Sequence, residues 1–194
     1  MTPTCPHARV DPSMRWDDLP TLREPPPWLV GHWTGGERGP AAIYRVLRGR
    51  GLSIHWTIGL DGDLVEHAPL SARCAHAGSV GNRGLGIEIA SCGLPRKDGT
   101  SPRPFDVVEI HGRKVRAVRF TDAQLTRWVD LAEWCADTYG WPRQVPDCLR
   151  QLTPREVARW RGVLEHLHLS RRKVDAGGHL TAALVRAGWK AVSP

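Results

Sequence analysis

Near the C-terminus, His166, His168, Lys173 and Asp175 fall within the segment His166–Gly178, so imidazoles, an ammonium and a carboxylate share one short stretch of chain. Imidazole nitrogen and carboxylate oxygen are donors that zinc takes from proteins. His166 and Asp175 are too far apart in sequence to share adjacent helical turns, but a loop ending in Gly177-Gly178 can fold both onto one ion. His168 is an alternative to His166, since it lies on the same side of an extended chain. A catalytic zinc site takes three protein ligands and keeps a position for water, so a third donor must come from elsewhere. His32, closing the apolar run Trp28-Leu29-Val30-Gly31-His32, is the candidate. Such a site lowers the pKa of its water to roughly 7 and so supplies hydroxide near neutral pH.

Attack on an amide also needs a proton acceptor that later donates to the leaving amine. Glu88 sits inside the apolar run Leu85-Gly86-Ile87-Glu88-Ile89-Ala90, where desolvation should raise its pKa. Lys173, two residues before Asp175, can aim a cation at the negative charge that forms on the substrate oxygen. His76 in Ala75-His76-Ala77-Gly78 is a candidate for lining a substrate groove, and Trp33 and Trp56 could pack on sugar faces. Structural readings compete for each. His32 could be a hydrogen-bonded core histidine, Asp175 a helix cap, Glu88 an ion-pair partner and Lys173 part of the basic surface with Arg171 and Arg172.

The elements that must position these groups follow from pattern. Trp28–Trp33 reads as a buried strand, Pro40–Arg50 as a helix with Pro in its first turn, and Ser53–Gly59 with Leu64–Ala68 as a hairpin about Asp61-Gly62. Leu85–Ala90 is another strand, 93–104 a surface loop, and Val107–Ile110 with Arg113–Phe120 a second hairpin about His111-Gly112. Thr121-Asp122-Ala123-Gln124 has capping-box spacing ahead of an apolar stripe that ends at Gly140, and Thr153-Pro154-Arg155-Glu156 repeats the signal. Gly162–His166 reads as a short strand carrying the histidine to its end, and Leu180–Ala187 as a last helix. Residues 1–27, with seven prolines including Pro25-Pro26-Pro27, are expected to form an extended leader before a single domain over 28–194. Strands mixed with helices predict an α/β fold, one mixed sheet flanked by helices.

Composition narrows the function. At 194 residues and 41% apolar, the chain can bury one sizeable core. No run of about 18 apolar residues is present, and no signal peptide is legible, so synthesis in the cytoplasm is expected. Cys5, Cys74, Cys92, Cys135 and Cys148 are scattered and form no C-x-x-C pair, which argues against a disulfide framework or a four-cysteine zinc site. The net charge of +7 points to anionic partners such as envelope polymers; without a helix-turn-helix, an aromatic RNA motif or an unbroken basic block, nucleic acid is not expected.

The chain resembles the zinc-dependent N-acetylmuramoyl-L-alanine amidases, a family that takes in phage enzymes, recycling enzymes and peptidoglycan recognition proteins. The resemblance covers roughly Trp28–Trp189 and rests on Leu29-Val30-Gly31-His32, Ser53–Ile58 followed by Asp61-Gly62, Ala75–Gly78, Leu85–Ile89, and His166 with Lys173-Val174-Asp175. It implies one zinc ion held by His32, His166 and Asp175, and cleavage of the bond between N-acetylmuramic acid and L-alanine, with Glu88 and Lys173 as the catalytic pair of the recycling branch. A compact phage or prophage endolysin is the expected role, acting on the wall once released. A cytoplasmic muropeptide-recycling enzyme and a non-catalytic peptidoglycan-binding module are the alternatives. Departures accompany it: Ile54 stands where many relatives have a catalytic tyrosine, Gly84 replaces the usual serine, and Ala176 replaces the usual proline, which is expected to loosen the loop after Asp175. The interval from His166 to Asp175 is also one residue shorter than in some recycling enzymes.

Overall fold

The computed structural model describes residues 5–194. Its strands are β1 (Arg9–Val10), β2 (Trp28–Trp33), β3 (Trp56–Ile58), β4 (Leu64–Glu66), β5 (Leu85–Ile89), β6 (Phe105–Ile110), β7 (Arg113–Val118), β8 (Gln144–Pro146), β9 (Gly162–Glu165) and β10 (Lys190–Val192). The helices are α1 (Pro40–Gly49), α2 (Gly78–Gly81), α3 (Asp122–Tyr139), α4 (Pro154–Arg159), α5 (His166–Leu169) and α6 (His179–Arg186). The central sheet has the order β1-β4-β3-β5-β2-β9, with the β3–β4 pair antiparallel and the other pairs parallel: the mixed sheet that the pattern of strands and helices predicts. β8 and β10 form a separate parallel pair, and β6 and β7 a separate hairpin. No helix among the described residues is long and apolar enough to cross a membrane.

Side-chain alternation divides the sheet between two tasks. Leu29 of β2, Leu85, Ile87 and Ile89 of β5 and Val163 of β9 pack with Trp128, Leu131 and Cys135 of α3 and Leu180 and Leu184 of α6. The intervening residues face the other way, where His32 and Glu88 lie. Ile54 and Ala90 pack there against Ile43 and Leu47 of α1. His32 is paired directly with Glu88 across the parallel β2–β5 ladder. The sheet thus sets the two groups side by side before any loop contributes.

Local signals act as their chemistry requires. Thr121 and Gln124 complete a capping box at the start of α3, Gly140 ends that helix in the left-handed conformation, and Thr153 with Glu156 caps α4. The expected strand carrying His166 stops one residue early, at Glu165, and His166 opens the short helix α5. Residues 5–27 are mostly irregular, but β1 pairs with β4 and both Cys5 and Met14 are buried. Met1–Thr4, the start of the expected leader, lie outside the described residues.

Gly84 explains one departure from the family pattern. A Cβ there would stand 2.6 Å from the backbone oxygen of Trp28 and would press into its indole, which is itself buried. Gly84→Ala is therefore expected to destabilise the fold by about 1–3 kcal/mol, visible in thermal unfolding. An unchanged melting temperature would show that β2 can shift to accommodate the methyl.

Two fully buried histidines make the core sensitive to acid. His55 Nε2 donates to the Ala72 carbonyl at 3.0 Å while its Nδ1 accepts from the Gly86 amide at 3.0 Å. His67 Nδ1 donates to the Met14 carbonyl at 2.7 Å while its Nε2 accepts from the Thr57 hydroxyl at 2.8 Å. Burial pushes both down to about 4, from the ordinary value of 6.5. Because the unfolded chain then binds more protons, the stability they support is complete above pH 6.5 and is lost as the pH falls toward 4. Urea unfolding at steps across this interval should show a steep decline that His67→Gln makes shallower; parallel profiles for the two proteins would refute the assignment.

Candidate metal and active site

At the C-terminal ends of β2 and β9 the chain brings His32, His166 and Asp175 together, each buried, with one ligand atom from each within 4.8 Å of the others. Asp175 Oδ2 stands 3.2 Å from His32 Nδ1 and 3.1 Å from His166 Nδ1. Donors held about 2.0–2.1 Å from a tetrahedral zinc ion lie about 3.3 Å from one another, so these spacings and this donor set fit zinc. Burial pushes His32 down to about 4 even though its contact with Asp175 opposes the shift, so its imidazole is neutral at physiological pH and has a lone pair to give. Burial alone would raise Asp175, but its contacts with the His166 and His32 rings outweigh that and hold the carboxyl well below the usual range.

His76 stands behind His32, where it can set the tautomer of that ring. Its Nε2 lies 3.0 Å from His76 Nδ1, and His76 Nε2 lies 3.4 Å from the Gly84 carbonyl. With His76 donating to that carbonyl, its Nδ1 accepts from His32 Nε2, and the His32 lone pair is left on Nδ1, facing Asp175 and His166. His76 also lines the groove, so the side chain expected to touch substrate has a second task.

A groove of about 610 Å³ passes over this cluster and includes Trp33, Glu88 and Lys173. Glu88 Oε2 is buried and has no hydrogen-bond partner among the described residues. Burial, and then the Asp175 carboxylate, push Glu88 well above its ordinary value, while Lys173 and Arg50 pull it down. Ala42 and Val46 of α1, and Arg50 just after it, also line the groove. Lys173 is exposed, and its carbonyl accepts a 2.9 Å hydrogen bond from His111 Nε2. The tip of the β6–β7 hairpin therefore supports the loop that carries Lys173.

Two expectations need correction. Trp56 is not in the groove: it is fully buried, and its ring packs edge-on against Trp134 of α3. Alternation along β3 turns it toward the helices. His168 is not an alternative ligand: α5 is helical, so residues two apart diverge, and His168 instead accepts from the Glu165 amide at 2.9 Å and reaches the Cys148 carbonyl at 2.9 Å. Ile54, in the position of the family tyrosine, is buried apolar core and brings no hydroxyl to the groove.

Sequence reasoning passed over Glu165. It is a fully buried carboxylate in the run Val163-Leu164-Glu165, the same signal that marked Glu88. The loop expected to be loosened by Ala176 is held by it, since the Ala176 amide donates to Glu165 Oε2 at 3.0 Å.

Comparison with known proteins places this geometry. No curated protein matches the sequence. Among solved structures, the endolysin amidase LysCS from Clostridium intestinale URNW is similar at 16% identity, with 88% of each chain covered and a TM-score of 0.57. The Ph2119 endolysin from a Thermus scotoductus bacteriophage is similar at 15% identity, covering 89% of this chain and 90% of that one, with a TM-score of 0.56. The amidase AmiD from E. coli, solved with an anhydro-N-acetylmuramic acid tripeptide substrate, is similar at 18% identity, covering 91% of this chain and 62% of that one, with a TM-score of 0.58. These likenesses establish the fold. The N-acetylmuramoyl-L-alanine amidase family model, in turn, matches residues 22–186, a span that contains every residue of the cluster, and to that family this chain belongs.

Proposed function

We propose that the enzyme cleaves the amide between N-acetylmuramic acid and L-alanine in peptidoglycan, using one zinc ion held by His32, His166 and Asp175. The observation that carries this reading is the convergence of the three donors beside Glu88, which the β2–β5 register sets against His32. When bound, zinc would supply Lewis acidity toward the scissile carbonyl and make water acidic enough to be deprotonated near neutral pH. Glu88 has a buried acceptor oxygen unused by the fold; it takes the proton of the attacking water and returns it to the departing L-alanine nitrogen as the carbon–nitrogen bond breaks. Its raised pKa suits both steps. Lys173 directs its ammonium at the oxyanion of the tetrahedral intermediate, and His76 keeps His32 in the ligating tautomer. Trp33 lines the groove where an apolar sugar face can pack.

We further propose that the substrate is the polymer and that the enzyme acts as an endolysin of phage type. Its net charge of +7 supports association with anionic envelope polymers. Rates on intact sacculi and on small anhydro-muropeptides test this. Faster release of stem peptide from sacculi is expected; turnover of small muropeptides with sacculi left intact would favour a recycling enzyme.

A further inference from the structure

Asp175 sits in a loop with no regular structure of its own, between α5 and α6, yet its carboxylate must meet two histidines within a few tenths of an ångström. The peptide unit that follows it is held at both ends. The Asp175 carbonyl accepts from the Leu167 amide at 2.8 Å, and the Ala176 amide donates to Glu165 Oε2 at 3.0 Å. The same oxygen accepts from the Gly178 amide at 2.7 Å. Glu165 Oε1 takes the Thr181 amide and the Thr181 hydroxyl, both at 2.8 Å. One carboxylate with no exposed surface therefore receives four donors, three of them backbone amides spanning the end of the loop and the first turn of α6.

Its position follows from the strand. Glu165 ends β9 on the face that packs against α6, in register with Gly31 of β2, and the next residue, His166, turns to the metal side. Residues 165 and 166 thus grip residues 175 and 176 twice: ring to carboxylate on one side, carboxylate to amide on the other. A proline at position 176 would have no amide to give. In this chain Ala176 supplies one, and Glu165 uses it.

We propose that Glu165 is the positioning residue of the metal site: by accepting the Ala176 and Gly178 amides it fixes Asp175 Oδ2 against His32 and His166 before an ion arrives. This rests on the zinc reading given above. The amide of glutamine has the same shape but a single acceptor oxygen, so Glu165→Gln turns an NH₂ toward two of the four donors. Partners that orient a ligand typically contribute 10–100-fold in metal affinity. Glu165→Gln is accordingly expected to weaken zinc binding about 10–100-fold in competition with a chromogenic chelator, while near-ultraviolet circular dichroism still reports native packing. Excess zinc should bring kcat back toward wild type with KM unchanged. A folded variant that binds zinc as tightly as wild type would overturn the proposal.

Amide hydrogen exchange on metal-free wild-type protein covers the case in which the variant fails to fold. The Ala176, Gly178 and Thr181 amides should exchange as slowly as those of β2 before zinc is added. Rapid exchange that slows only with zinc would mean the ion, not Glu165, orders the loop. If wild type binds no zinc at all, the metal reading fails, and the exchange rates still decide whether Glu165 holds the loop.

Discussion

Glu88→Gln is expected to lower kcat on muropeptides by about 10³-fold, in the range that general acid–base catalysis contributes, with zinc content unchanged and the melting temperature not lowered. The neutral amide keeps the shape of the side chain and removes its capacity to take and return a proton. Stability should survive, because Oε2 makes no hydrogen bond among the described residues and the fold forfeits nothing when that oxygen is replaced. Removing a carboxylate that lies near Asp175 also relieves a like-charge interaction, the second cause of the raised Glu88 pKa. A small gain in melting temperature alongside the loss of turnover would be consistent with that. Wild-type activity in Glu88→Gln would remove the residue from the mechanism and, with Ile54 in the place of the family tyrosine, would leave the groove without a recognisable base.

Asp175→Ala is expected to abolish both zinc binding and turnover. The carboxylate supplies the one oxygen donor of the cluster and contacts both imidazoles. Its loss leaves two histidines, fewer than a catalytic zinc site requires. The clearest readout is stabilisation by the ion. A ligand present at 1,000 times its dissociation constant stabilises the folded state by about 4 kcal/mol, so zinc should raise the melting temperature of wild type and leave that of Asp175→Ala where it was. Equal zinc-induced shifts in the two proteins would place the metal elsewhere.

Much of this site was legible in the sequence because its parts sit where local signals are strong. His32 and Glu88 lie in short apolar strands, and strand alternation sends both to one face once the strands pair. His166 and Asp175 were close enough in sequence for their meeting to be read from composition. What escaped depended on long-range packing. Trp56 was expected near the site with its ring on a sugar face, but only the docking of α3 decides which face it takes. The β8–β10 pairing joins three-residue segments far apart in the chain, too short for any periodicity to show. Glu165 carried the same mark as Glu88, a carboxylate in an apolar run, yet its four donors come from residues 176–181, and no spacing rule gathers them in advance. The looseness expected from Ala176 weighed backbone freedom alone and did not count the buried acceptor that its amide meets.

A zinc-dependent cut at one bond can be tested in a single digest. Purified enzyme is incubated with peptidoglycan, with chelator, and with chelator followed by excess zinc, and the products are identified by mass spectrometry. Stem peptides with a free L-alanine amino terminus are expected, absent under chelation and restored by zinc. Release that ignores the chelator, or cleavage at any other bond, would contradict it.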